Sequence, residues 1–127
     1  MSDQSNTPRW PARQFHYQPV ASHVHPFLVD LWDAVRTETG GRLDVAVHAE
    51  NAGLKATHAQ IIDKVAQGEI EFYAVMGSLL GPLSPPFEIQ GIPFAFKHAD
   101  QVYALMDGAL GDYLRADLAV WVYLLRR

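Results

Sequence analysis

Apolar positions change period several times along the chain, and each change marks an element. Residues 14–18, QFHYQ, alternate Phe15 and Tyr17 with polar neighbours, the period-two pattern of a strand. Pro19, with no amide hydrogen to donate to a ladder, ends it. The residues before the strand are rich in Ser, Asn, Pro and Arg, which predicts a disordered arm over 1–13. In SHVHPFLVDLWDAVRTETGG, starting at Ser22, the residues Val24, Leu28, Leu31, Trp32 and Val35 recur on one face of a helix. Ser22 is the expected N-cap, Pro26 fits the first turn, and Gly40-Gly41 supplies the stop.

A second strand follows in RLDVAVH (42–48), with Leu43, Val45 and Val47 on one face. The polar segment 49–56 is a loop. Thr57, with Gln60 three residues later, forms a capping-box pattern for a helix through Gln67. Its apolar stripe is Ile61, Ile62 and Val65, and Gly68 follows as C-cap. EIEFYAVM (69–76) is almost continuously apolar after Glu71, as a strand covered on both faces would be. Residues 77–96 carry four prolines and three glycines and predict a loop, with a helical turn at Leu79-Leu80 and a short extended piece near Phe94. Helices are expected over 100–106 and 110–118, then a strand in VWVYLLRR. Alternating strands and helices with short links imply an α/β fold with a parallel sheet.

Composition narrows the function classes. The 127 residues suit one modest core over 14–127. A net charge of −4, with the ten basic residues scattered, argues against nucleic acid as a partner, because neutralising phosphates takes clustered Lys and Arg. With no cysteine there is no disulfide and no thiolate metal site. VWVYLL falls far short of the roughly 20 apolar residues that span a bilayer. The first fourteen residues are polar with two prolines, and show no secretory leader pattern.

The histidine pair in SHVHP raises the question of a metal. Successive helical residues turn by about 100°, so His23 and His25 diverge by roughly 200° and do not chelate one ion. No cofactor or metal is expected. Asp30 and Asp33 lie on the solvated side of the first helix, and Glu69 and Glu71 flank a strand start, so neither pair forms an acid/base dyad. Ser22 beside His23 is no triad, and the glycines match no phosphate or dinucleotide loop. Met76, at a strand end, has a core role as its default. With no catalytic set, the pattern is that of a binding protein and not an enzyme.

In an open parallel sheet, ligands collect beyond the carboxyl ends of the strands. Those ends are Gln18 to Ser22, His48 to Lys55, and Met76-Gly77-Ser78. The amino ends of the first two helices point the same way and favour an anion, to which Lys55 adds a positive charge. The expected ligand is small and anionic.

The order and spacing of three segments, TGGRLDVAV, VAQGEIEF and GIPFAFKHADQVYALMDGALG, resemble the dicarboxylate-type solute-binding proteins of tripartite ATP-independent periplasmic (TRAP) transporters. The resemblance spans residues 14–119. It implies the first lobe of a two-lobed clamshell of the periplasmic-binding type, which closes on a small organic acid and delivers it to TRAP membrane subunits. The second lobe, with the arginine that pairs with the ligand carboxylate, lies outside this span. The same resemblance implies first-lobe contacts at Gln18 and Pro19, the loop from Gly53 to Lys55, and Met76, Gly77 and Ser78, with Ser22 and His23 turned toward the cleft. It also implies a periplasmic location. Two other readings stay open here: a stand-alone interaction module that forms a homo-oligomer through the exposed cleft face, and a histidine-dependent metal protein.

Overall fold

A computed structural model of the protein describes residues 8–119. Three strands, β1 (Trp10–His16), β2 (Leu43–His48) and β3 (Phe72–Ala74), form one sheet in the order β2-β1-β3, and both pairings are parallel. Four helices accompany them: α1 (Val24–Glu38), α2 (His58–Ala66), α3 (Ala99–Asp107) and α4 (Ala109–Leu118). The expected α/β lobe is therefore present, with helices on both faces of the sheet.

Strand β1 starts four residues earlier than the alternation at Gln14 suggested, so the arm expected over 1–13 overlaps it. Trp10 pairs with Leu43 and Pro11 with Asp44, whereas β3 meets β1 only from Gln14 to His16. At Pro11 the strand therefore has a neighbour on one side only, which a residue without an N–H tolerates. Strand β3 is shorter than the expected 69–76. Glu69 pairs instead with Lys64, and Glu71 takes hydrogen bonds from the backbone and guanidinium of Arg13.

Alternation along β1 divides the core. Ala12, Gln14 and His16 face α1, where Leu28, Trp32 and Val45 are buried together and the Trp32 indole donates to Gln14 Oε1 at 3.3 Å. Phe15 faces α2 and packs with Ile61 and Ile70. A third cluster joins Ile62 of α2 to Leu80, Phe87, Leu114 and Leu118. Leu31, expected on the buried stripe of α1, is exposed, as is Phe27. The apolar arc of α1 is narrower than its composition suggests.

Local signals held where the backbone chemistry was complete. The Thr57–Gln60 capping box is formed in both directions, at 3.2 and 2.9 Å. Gly41 closes α1 through its N–H to the Arg36 carbonyl at 2.8 Å, with a φ of +81° that suits glycine. Residues 77–96 form two short 3-10 turns, Gly77–Leu80 and Pro85–Gly91. No extended piece forms at Phe94. Ile92 to Ala95 make a turn, with Pro93 second and Phe94 third at a φ of +61°, closed by the Ala95 N–H on the Ile92 carbonyl. The strand expected from VWVYLLRR lies outside the described residues.

Candidate functional site

The carboxyl ends of the three strands lie side by side along one edge of the sheet, with β1 in the middle. The loop after β2 is tied to the end of β1 by the Glu50 N–H, which donates to the Gln18 carbonyl at 3.1 Å. Four successive residues of that loop, Glu50, Asn51, Ala52 and Gly53, have φ of 53, 55, 33 and 82°, a left-handed turn in which only Gly53 is conformationally at ease. That geometry turns the chain sharply back across the sheet edge and brings the Asn51 side chain beside the Tyr73 hydroxyl of β3.

The capping box at Thr57 makes His58 the first residue of α2. His58 Nδ1 lies 2.8 Å from the Tyr73 hydroxyl, and the Tyr17 ring stands edge-on to the imidazole with centroids 4.7 Å apart. One residue from each strand end or loop thus converges: Tyr17 after β1, Asn51 after β2, His58 at the start of α2, and Tyr73 in β3. Burial pushes the Tyr73 phenol up from its ordinary value; the polar Asn51 side chain opposes this in part and Tyr17 adds to it. Tyr73 is therefore a neutral donor at physiological pH. The pattern reading missed this quartet, although the capping box already placed His58 at an amino end facing the strand ends.

The α1 side of the same edge holds a second pair. His16 is fully buried, and its Nε2 lies 2.9 Å from Nδ1 of His25. Burial, and then the neighbouring His25, hold the His16 imidazole below its ordinary value. This explains SHVHP in part: His25 turns inward to the sheet, while His23 is exposed. Among the described residues no three His, Asp or Glu side chains converge as a metal site would require.

The predicted site residues divide. Gln18 is half-buried at the centre of the edge, and the Pro19 carbonyl accepts the Ser22 N–H at 3.0 Å in the turn that leads into α1. Ser22 is not the N-cap. His23 takes that position without a side-chain hydrogen bond, because the third helical residue is then Pro26, which has no N–H to cap. Ser22 Oγ is left buried with no partner among the described residues. Lys55 is exposed and makes no ion pair with a described residue. Met76 is 58% exposed at the end of β3, against its default as a core residue. Gly77 has a packing role: a Cβ there would fall 2.2 Å from the Gln90 side chain. Ser78 is half-buried beside it. Two shallow concavities lie elsewhere, about 260 Å³ between Trp10 and Arg42 and about 450 Å³ on the sheet face at Arg13, Asp44 and Glu71. Neither includes a predicted site residue.

Residues 15–120 match the model of the bacterial extracellular solute-binding protein family 7, DctP. The chain belongs to this family. Its members are binding proteins, not enzymes, and the TRAP resemblance read from the sequence is thereby shown. A solute-binding protein of Chromohalobacter salexigens is 31% identical over 85 residues, which is 67% of this chain and 25% of that protein. The C4-dicarboxylate-binding protein DctB of Bacillus subtilis is 28% identical over 82 residues, 65% of this chain and 23% of the relative. The chain thus spans about a quarter of the length of these DctP relatives. A TRAP periplasmic solute-binding protein from Chromohalobacter salexigens, solved with bound D-glucuronate, matches with a TM-score of 0.76 at 25% identity, over 86% of this chain and 36% of that one.

Proposed function

We propose that this DctP chain supplies the first-lobe wall of a periplasmic TRAP receptor, which takes a small hydroxylated organic acid of the hexuronate class and presents it to TRAP membrane subunits. The observation that carries this reading is the Tyr17–Asn51–His58–Tyr73 cluster, at the sheet edge where Gln18 and Met76 to Ser78 also end. Phenol, amide and imidazole groups hydrogen-bond sugar hydroxyls, and two tyrosine rings offer faces for the apolar C–H side of a pyranose. The amino end of α2 favours the carboxylate. The D-glucuronate held by the Chromohalobacter protein supports the ligand class.

Amide NMR of the isotope-labelled chain tests it, with D-glucuronate, D-galacturonate and succinate as probes and methyl glucoside as the uncharged control. The acids are expected to move the resonances of Gln18, Asn51, Tyr73 and Ser78 and to leave those of the opposite sheet end, around Trp10 and Leu43, in place. Shifts confined to the Trp10 end, or none, would remove the reading.

A further inference from the structure

Resting on that reading, we infer that Gln90 is a hydroxyl-recognising group of this wall and sets its preference for a sugar acid over a plain dicarboxylate. Gln90 belongs to the second 3-10 turn, Pro85–Gly91, well after the strand ends in sequence. That turn packs on the first, Gly77–Leu80. A Cβ added at Gly91 would lie 3.7 Å from that of Ser78, and Gln90 falls directly on Gly77.

The contact at Gly77 is close and polar. A Cβ on residue 77 would stand 2.2 Å from Gln90 Oε1 and 2.6 Å from Nε2. The Gln90 amide thus takes the place where a side chain of residue 77 would begin. Glycine, with no Cβ, is what permits this approach. Position 77, just past the carboxyl end of β3, is in effect served by a carboxamide from a distant turn.

Packing alone does not call for an amide there. Nε2 donates to the Met106 sulfur of α3 at 3.8 Å, and a thioether is a weak acceptor. Oε1 accepts no hydrogen bond from a described residue, yet it is not sealed from solvent, since Gln90 is only half-buried. An apolar side chain of similar length would meet Met106 without leaving polar groups so poorly matched. The amide keeps a donor and an acceptor side by side at the site edge. A hydroxyl, itself donor and acceptor, can satisfy either one, and neighbouring sugar hydroxyls satisfy both. A carboxylate only accepts, so succinate, which has no hydroxyl, uses the N–H at most.

Titrations of the 127-residue chain with D-glucuronate and with succinate, followed at the Gln18 and Ser78 amide resonances, test this. Gln90→Met keeps the length and removes both polar groups. D-glucuronate affinity is expected to fall about fivefold in it, the worth of a neutral hydrogen bond, and succinate affinity to stay in place. The side-chain NH2 resonances of Gln90 give a second measurement that needs no variant: D-glucuronate is expected to move them more than succinate does when each saturates the site. Equal losses for the two acids would show that Gln90 only props Gly77, and no loss for either would show that it is idle. Either result, or Gln90 resonances unmoved by D-glucuronate, overturns this inference while the receptor reading stands. If neither acid moves Gln18 or Ser78, both fall.

Discussion

His16 Nε2 and His25 Nδ1 lie 2.9 Å apart, joining the carboxyl end of β1 to the first turn of α1. His16 Nδ1 is buried with no partner among the described residues. An unpaired ring nitrogen is less costly to bury as a bare acceptor than as an N–H, so the bridging hydrogen belongs to His16 Nε2. A second proton on His16 would place an unpaired cationic N–H in the core against another imidazole.

That arrangement makes the fold acid-sensitive. The buried His16 titrates below the ordinary histidine value of 6.5, whereas the unfolded chain takes its proton there. Below this value the unfolded state binds more protons, so stability falls with pH, by up to about 1.4 kcal/mol per pH unit until His16 itself protonates. Above it the contribution is fully retained. Urea unfolding at pH 7.5, 6.5 and 5.5 measures this, with His16→Leu expected to flatten the slope. Equal stability at all three values would show that the buried imidazole is not the acid-labile element.

Gly111 is a second point of sensitivity. Alanine normally improves a helix interior over glycine by about 0.5–1 kcal/mol. Here an added Cβ would stand 1.7 Å from the Met106 carbonyl oxygen across the α3–α4 junction, and that backbone cannot yield without moving α4. Overpacking of this kind costs about 1–3 kcal/mol and outweighs the propensity gain. Gly111→Ala is therefore expected to lower Tm by roughly 5–10 °C. Gly77→Ala meets only the Gln90 side chain, which can rotate away, so its Tm should change by far less. Calorimetry of the two variants side by side decides the ranking.

Legibility in the sequence followed the locality of the signal. The Thr57–Gln60 capping box, the glycine stop at Gly41 and the parallel pairing of the strands were readable because each rests on short-range chemistry or on alternation of elements. Pro11 misled at the start of β1, since its acceptability depends on how far β3 extends, which is a tertiary fact. The Tyr17–Asn51–His58–Tyr73 cluster was hidden for the same reason: it joins four segments, and the left-handed turn at Glu50–Gly53 that delivers Asn51 has no recognisable motif. The strand-end rule located the right edge without locating these groups on it. The burial of Leu80, with Leu83 packed on the same cluster, was equally illegible, because it depends on the 3-10 turns folding that loop onto α4.

Exposed apolar groups elsewhere predict self-association. Phe94 is fully exposed, Phe27 is 65% exposed, and Ile92, Tyr103 and Tyr113 are exposed as well. Such patches lead to partners or aggregation. Light scattering is expected to show mass growing with concentration in the micromolar range. Phe94→Gly should weaken that growth without lowering Tm, since it removes a bulky group from a φ of +61°, a conformation that costs an L-residue about 1–2 kcal/mol. A concentration-independent monomer would show that these exposed side chains do not drive association.

Ligand affinity separates a lobe from a whole receptor. A small ligand in a closed site loses about 70–90% of its surface to protein. The described residues offer one open wall: Gln18, Asn51, His58, Tyr73 and the backbone from Met76 to Ser78. Each net hydrogen bond contributes about 0.5–1.5 kcal/mol, and somewhat more when charged. Water in an open cleft screens the carboxylate from the α2 amino end and from His58. Two or three such bonds, less the cost of immobilising the ligand, leave about −4 kcal/mol, a Kd no tighter than roughly millimolar. Calorimetry with D-glucuronate at neutral pH is the measurement, and Gln18→Ala and Tyr73→Phe should each weaken the weak signal further. A micromolar Kd lost in either variant would instead require a second wall to close over the ligand, from this chain or from another copy of it.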